Sequence, residues 1–323
     1  GLRDFYEGEI GAVLAQDLKE AGSLLRAGDL AGYAARYVEP LSTRLSCGTV
    51  FNMPPPTQGI ASLAILGIFD RLNVRDGESF AHIHGLVEAT KQAFRMRDAQ
   101  VCDPAFMTCD PASLIAGDEL DRMADDVDCH RAAPWPHVAE PGDTIWMGVI
   151  DAEGRMASYI QSIYWEFGTG VLFQNRGIDF ALDEKRLNAL VPGKKPFHTL
   201  NPAMARLDDG RQMVYGTMGG EGQPQTQAAI FTRHVLFGRD PGEAIAAPRW
   251  LLGRTWGAQS ITLKLESDFD PALVDALKAA GHDVELVAPM NDMMGHAGMV
   301  TLSPDGRFEA ASDPRSDGDA MGL

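Results

Sequence analysis

The run 59-GIASLAILGIF-69 restricts the fold more than any other stretch. It is apolar on every side of a helix, so a helix built from it has to be covered all round. It falls short of the roughly 18–20 apolar residues that span a bilayer, so its cover is expected to be protein. The rigid loop 54-PPPTQG-59 feeds it, and 48-GTVFNM-53 before the loop reads as a strand. A helix buried on all sides needs a substantial core. The 323 residues, 45% apolar and 23% charged, provide enough for one large domain or two ordinary ones.

Around this helix, the patterns come in blocks. Residues 1–46 look helical, with Gly22 placed to cap 8-GEIGAVLAQDLKEAG-22, and 84-HGLVEATKQAFRMRDAQ-100 is a second amphipathic helix. From about 108 to 143 the chain turns rich in Asp, Pro and Ala and ends as an expected mobile linker. Strands follow at 145–150 and 156–167 around a hairpin loop at 151–155, then at 212–218, 260–266, 283–288 and 297–302. Helices are expected at 225–237, 242–246 and 271–281. Blocks of this kind favour an α+β layered architecture over an alternating βαβ wind.

The net charge of −17 argues against an electrostatic grip on nucleic acid or an anionic membrane, and serves solubility. Cys47, Cys102, Cys109 and Cys129 are sparse and lack CxxC spacing, so neither a disulfide framework nor a zinc site is suggested. A reducing, cytoplasmic setting is the expectation, with a periplasmic or secreted one left open.

Three stretches could carry chemistry. In 141-PGDTIWMGVID-151, Thr144 is by itself an ordinary β-branched strand starter. Cleavage of the bond between Asp143 and Thr144 would instead give it an α-amine, a built-in base for its hydroxyl. In 216-GTMGGEGQPQT-226, Gly219 and Gly220 lie between a strand and a helix. No Lys-Ser/Thr follows and the surroundings are acidic, which leaves a tight turn or an oxyanion hole of backbone N–H groups. In 192-PGKKPFHTLNPAM-204, His198 and Thr199 are placed either for surface loop chemistry or to bind a carboxylate. His82 and His84 alternate as on a strand without a nearby carboxylate. Cys129 and His130 fit a solvated acidic linker, and the methionines of 293-MMGHAGM-299 fit a core.

The ordered set PPPTQG, LVEATKQAF, DTIWMGVIDAEG, FGTG, PFHTLNPAM, GTMGG, APRW and ASDPRSDG resembles the γ-glutamyltranspeptidase family of N-terminal nucleophile hydrolases, across essentially the whole chain. GDTIWMGVID, QNRG, PFHTLNPAM and PRWLLGRTWG are most similar to its oxamate amidohydrolase-like branch. The resemblance implies a four-layer αββα sandwich, here incomplete, made as a precursor that cuts itself between Asp143 and Thr144. Residues 1–143 would be the C-terminal part of a large subunit, with its linker at about 108–143, and 144–323 the small subunit. It further implies Thr144 as nucleophile, Ser162 as the hydroxyl that hydrogen-bonds it, and Gly219 and Gly220 as the oxyanion hole. His198 and Thr199 fall on the serine pair that binds the substrate carboxylate, Tyr164 replaces the Asn that holds the glutamyl group, and Asp179 falls near the acid that holds the substrate amine.

Ile145 and Trp146 stand where the family usually has Thr and His. With the Asn and both serines gone, a smaller or differently charged amide is expected in place of a γ-glutamyl donor. The alternatives are a γ-glutamyl transpeptidase and an inactive module. No cofactor is called for. The expected partners are a small-molecule amide and the two subunits for each other, with a homo-oligomer left open. Family precursors carry a long segment before FYEGEIG, including an Arg that pairs with the substrate carboxylate, and nothing here replaces it. Between FGTGV and QNRG the chain is several residues shorter than the family's usual loop.

Overall fold

A computed structural model describes residues 1–135, 143–164, 173–253 and 260–322. The chain forms two compact units, Gly1–Glu39 and Pro40–Leu323. The first holds helices α1 (Asp4–Glu7), α2 (Glu9–Glu20) and α3 (Ala27–Gly32). Arg3 fastens it by donating to the carbonyls of Tyr33 and Ala31 at 2.7 and 2.9 Å. Helix was expected as far as residue 46, but Leu41–Leu45 is strand β1, with Thr43 and Leu45 turned inward on a period of two.

The second unit is built on a six-stranded antiparallel sheet. Its order is β1, β2 (Gly48–Asn52), β5 (Ala203–Leu207), β6 (Gln212–Thr217), β10 (Ala297–Leu302) and β11 (Phe308–Ser312). Against one face lie α4 (Gly59–Arg71) and α7 (Gln223–Phe231), with α5 (Phe80–Gln100) packed beyond them. Gly59 through Phe69 are all buried, as the uniformly apolar run requires. Helix α5 starts where Ser79 Oγ accepts from the N–H of His82, an N-cap that satisfies one orphan donor.

The opposite face carries the hairpin of β3 (Asp143–Ile150) and β4 (Met156–Tyr164). Trp146 sets this contact. A Cβ on Gly216 or Gly298, which pair across β6 and β10, would lie 2.2 or 2.4 Å from its ring. Only glycine leaves room there, and Trp146 Nε1 donates to Ser158 Oγ at 3.0 Å. On the outer face of β3, Ile145, Met147 and Val149 are exposed. Helices, a sheet and a second, two-stranded sheet in succession agree with the α+β sandwich expected.

The supposed linker is folded as far as residue 135. Pro111–Ile115 forms a 3-10 turn and Gly117–Asp125 helix α6, burying Leu114, Ile115, Leu120 and Met123. Two Asp residues of that stretch instead cap turns: Asp110 and Asp128 each accept from a backbone N–H two residues on. A third sheet, β7 (Trp250–Leu252), β8 (Leu263–Glu266) and β9 (Val284–Val287), and helices α8 (Pro241–Ala246) and α9 (Pro271–Ala279) complete the unit. No helix among the described residues is long and apolar enough to cross a membrane.

Candidate active site

Thr144 lies at a break in the hairpin ladder. Asp143 pairs with Tyr164 and Ile145 with Gln161, so Thr144 alone faces two residues, Ser162 and Ile163. A bulge bends the ladder and re-aims the side chains beside it. The side chains of Asp143 and Tyr164 lie outside the described residues.

Packing sets the direction of β3 across β6. A Cβ on Gly148 would meet Val214, and the ring of Trp146 lies over Gly216. Each two-residue step back along β3 is thus a two-residue step forward along β6. Continued past Trp146, this direction points the head of β3 toward the end of β6 at Thr217, beyond which lie Met218 and Gly219. There the backbone enters the left-handed region, with φ of 120° at Gly219 and 50° at Gly220, where a side chain would be strained. The Gly219 carbonyl accepts from Gly222 N–H at 2.7 Å, which fixes the peptide plane bearing the Gly220 N–H. Among the described residues, neither Gly219 N–H nor Gly220 N–H donates to an acceptor.

Gln58, buried at the end of the PPPTQ loop, joins this turn to the PFHTLNPAM loop. Its Nε2 donates to the carbonyls of Thr199 and Gly220 at 2.9 and 2.7 Å. Its Oε1 accepts from Arg97 Nη1 at 3.0 Å, and Arg97 also donates to Glu221 at 3.2 Å. Burial opposes the charge on Arg97, but Glu221 and Asp98 outweigh it and its pKa is raised. The backbone N–H of Gln58 donates to His198, and that of His198 to Pro56, both at 3.0 Å.

The other side of the site comes from the 3-10 turn Arg176–Asp179. Asn175 N–H donates to the Ile163 carbonyl at 3.0 Å, seating this turn beside the bulge that faces Thr144. Arg176 is 0% exposed, and its Nη1 donates to Thr199 Oγ1 at 2.6 Å. Burial first, then Arg176 and Lys195, push the His198 imidazole down to about 3, so it is neutral at ordinary pH. His198 Nδ1 is buried without a hydrogen-bond partner among the described residues.

Ser162 and Asp179 therefore fall on elements flanking Thr144, while Thr199 and Gly220 are joined through Gln58. Gln58, Arg97 and Arg176 were missed in the sequence. The first and last stand inside quoted motifs, PPPTQG and QNRG, but their partners are far along the chain.

His82 and His84 sit on a helix, not a strand, so they diverge. His82 Nε2 meets Thr232 Oγ1 at 2.9 Å, and His84 Nδ1 meets His282 Nε2 at 2.8 Å. A carboxylate does lie nearby, since Glu88 follows His84 by one helical turn. His84, Glu88 and His282 have ligand-type atoms within 4.8 Å of one another. These atoms already have partners: His84 Nε2 is bonded to the Asp128 carbonyl, and Glu88 accepts from Lys91 Nζ and Ala133 N–H. The cluster reads as a hydrogen-bonded network.

The chain belongs to the γ-glutamyltranspeptidase family of N-terminal nucleophile hydrolases, whose family model, described as "Gamma-glutamyltranspeptidase", matches residues 1–323. Over its full length it is 51% identical to the oxamate amidohydrolase proenzyme of Klebsiella pneumoniae, covering 62% of that chain. It is 38% identical to the glutathione hydrolase-like YwrD proenzyme of Bacillus subtilis, again over its full length and 63% of the relative. Among solved structures, cephalosporin acylase from Bacillus halodurans superposes with a TM-score of 0.88 at 29% identity, over 99% of this chain and 60% of that one. The chain thus spans less than two thirds of the length of these relatives.

Proposed function

We propose that this chain carries the reacting residues of a self-processing amidohydrolase that uses Thr144 on a small amide such as oxamate. The direction of β3 over β6, which points its head toward the end of β6 before the Gly219–Gly220 turn, carries this conclusion. The 51% identity to an oxamate amidohydrolase proenzyme supports the substrate and the maturation step. Cleavage before Thr144 would divide the chain into 1–143 and 144–323, parts of a large and a small subunit.

The freed α-amine has an ordinary pKa of about 8 and sits on the Cα next to the hydroxyl-bearing Cβ, so it can accept the hydroxyl proton. Thr144 Oγ attacks the amide carbonyl carbon, and the N–H groups of Gly219 and Gly220 receive the negative charge that develops on its oxygen. The amine passes its proton to the leaving nitrogen, ammonia departs, and an ester to Thr144 remains. Water, deprotonated by the same amine, cleaves that ester and restores the enzyme. Ser162, across the bulge, would hydrogen-bond the nucleophile.

Intact mass and N-terminal sequencing after incubation test the first step. A new N-terminus at Thr144 is expected, with Thr144→Ala left whole. Equal absence of cleavage in both would overturn self-processing. A second activity, on γ-glutamyl donors, is favoured by the relative named glutathione hydrolase-like. Turnover of γ-glutamyl-p-nitroanilide that rises with a dipeptide acceptor and exceeds oxamate hydrolysis would establish it over the first.

A further inference from the structure

The left-handed backbone at 219 and 220 calls for glycine, yet glycine is the residue least restrained by its own sterics. A turn built on two of them keeps its shape only if its carbonyls are held. The Gly219 carbonyl is held from within the turn, by the N–H of Gly222. The Gly220 carbonyl is held from outside it, by Gln58 Nε2 at 2.7 Å. These two bonds fix the peptide planes on both sides of Gly220, and so the direction of its N–H. Gln58 is 0% exposed, so its amide acts on the turn and not on a ligand. That amide has one orientation. A flip would set its oxygen against the Thr199 and Gly220 carbonyls and its NH2 against the Arg97 guanidinium. Arg97 is fixed in turn by Asp98 at 2.8 Å, by Glu221 at 3.2 Å and by the Phe94 ring, 4.0 Å away.

We propose that Gln58 is a positioning residue for the Gly219–Gly220 turn, clamping the Gly220 carbonyl while Arg97 sets the orientation of its amide. This rests on the amidohydrolase reading, in which the N–H groups of that turn receive the charge on the carbonyl oxygen. Gln58 and Arg97 stand before Thr144, whereas Thr199, Gly220 and Glu221 stand after it. Through Gln58, the piece that ends at Asp143 holds in place the donors of the other piece. Preorganised donors act on the transition state more than on the bound substrate, so loosening them lowers kcat and spares KM.

The test compares self-cleaved wild type with two variants, assayed on oxamate per folded, cleaved molecule. Gln58→Met keeps the length of the side chain and loses both donors. Gln58→Glu keeps its shape and its bond to Arg97 but turns an oxygen toward both carbonyls. In each, kcat should fall about ten- to a hundredfold, as when a catalytic group is slightly misplaced, while KM changes by less than about twofold. Arg97→Lys, whose ammonium can still donate to Gln58 Oε1, should keep kcat within about fivefold of wild type. A second readout needs no turnover. In the uncut Thr144→Ala chain, hydrogen exchange at the Gly222 N–H should quicken about tenfold when Gln58→Met is added. Wild-type turnover with unchanged kcat in both Gln58 variants, or a loss confined to KM, overturns the positioning role and leaves the amidohydrolase reading intact. If Gln58→Met does not fold, Gln58→Glu decides both readouts. Unchanged exchange overturns the clamp whatever the activity. Wild type inactive on oxamate, or Thr144→Ala equally active, overturns the amidohydrolase reading instead, and exchange alone then decides the clamp.

Discussion

Trp146 shows how one side chain fixes what its neighbours can be. Its ring occupies the space above Gly216 and Gly298, so both positions tolerate no Cβ. Gly216→Ala should therefore overpack the contact and cost about 1–3 kcal/mol of stability, read as a lower urea midpoint. The same change in a Trp146→Leu background should cost much less, because the clash partner is gone. Equal costs in the two backgrounds would show that the glycine serves the strand and not the tryptophan. In the sequence, Trp146 was legible only as a departure from the family pattern. Its reason lies in residues 70 and 152 positions further on, which no local pattern connects. Thr144 and the glycine pair stand out in the sequence because their local setting, a turn into a strand and a strand into a helix, is one that the proposed chemistry requires. Gln58 and Arg176 do not, because a buried amide or guanidinium declares its role only through its partners, and the Gln58–Thr199 bond spans 141 residues.

Among the helices, α4 follows directly from its apolar run, whereas α5 begins at Phe80 behind the Ser79 cap, four residues before the expected start, and α6 was taken for linker. Short strands such as β1 and β7 escaped notice, since five or three residues give too little alternation to register. The APRW and ASDPRSDG motifs also acquire a meaning at this scale. Arg249 bonds Asp313, and Arg315 bonds Glu266, Asp313 and the carbonyls of Ile245 and Ala247, so buried charges tie α8 and β8 to the end of β11. Histidines buried at element contacts make stability depend on pH. Burial first, with neighbouring cations, holds His82 on α5, His198 and His282 each at about 3, against an ordinary 6.5. Between these values the unfolded chain binds more protons than the folded one. Their contribution is therefore complete above about pH 6.5 and is lost as pH falls toward about 3, with a slope of up to about 1.4 kcal/mol per pH unit for each. The urea midpoint should drop steadily from about pH 7 to about pH 4.5, and a flat profile would contradict burial of these imidazoles in the neutral form.

Across the whole molecule, layering was visible in the blocks of helix and strand, whereas strand order was not, because β2 pairs with β5 across some 150 residues and β6 with β10 across some 80. The six-stranded sheet takes β1 and β2 from before Thr144 and its other four strands from after it. Further ties cross the same point: Gln58 to Thr199 and Gly220, Arg97 to Glu221, Glu78 to Arg233 and His84 to His282. If the bond before Thr144 is cut, the two pieces should co-elute on gel filtration at neutral pH and part only in denaturant. Separate elution without denaturant would mean that the sheet does not survive the cut. The shared sheet has a practical corollary for anyone rebuilding this protein. Neither half has a complete sheet to fold on alone, so the break before Thr144 is a natural place to divide the gene. Two open reading frames expressed together, the second exposing Thr144 as its first residue, should assemble the same sheet by complementation and make the proposed self-cleavage unnecessary.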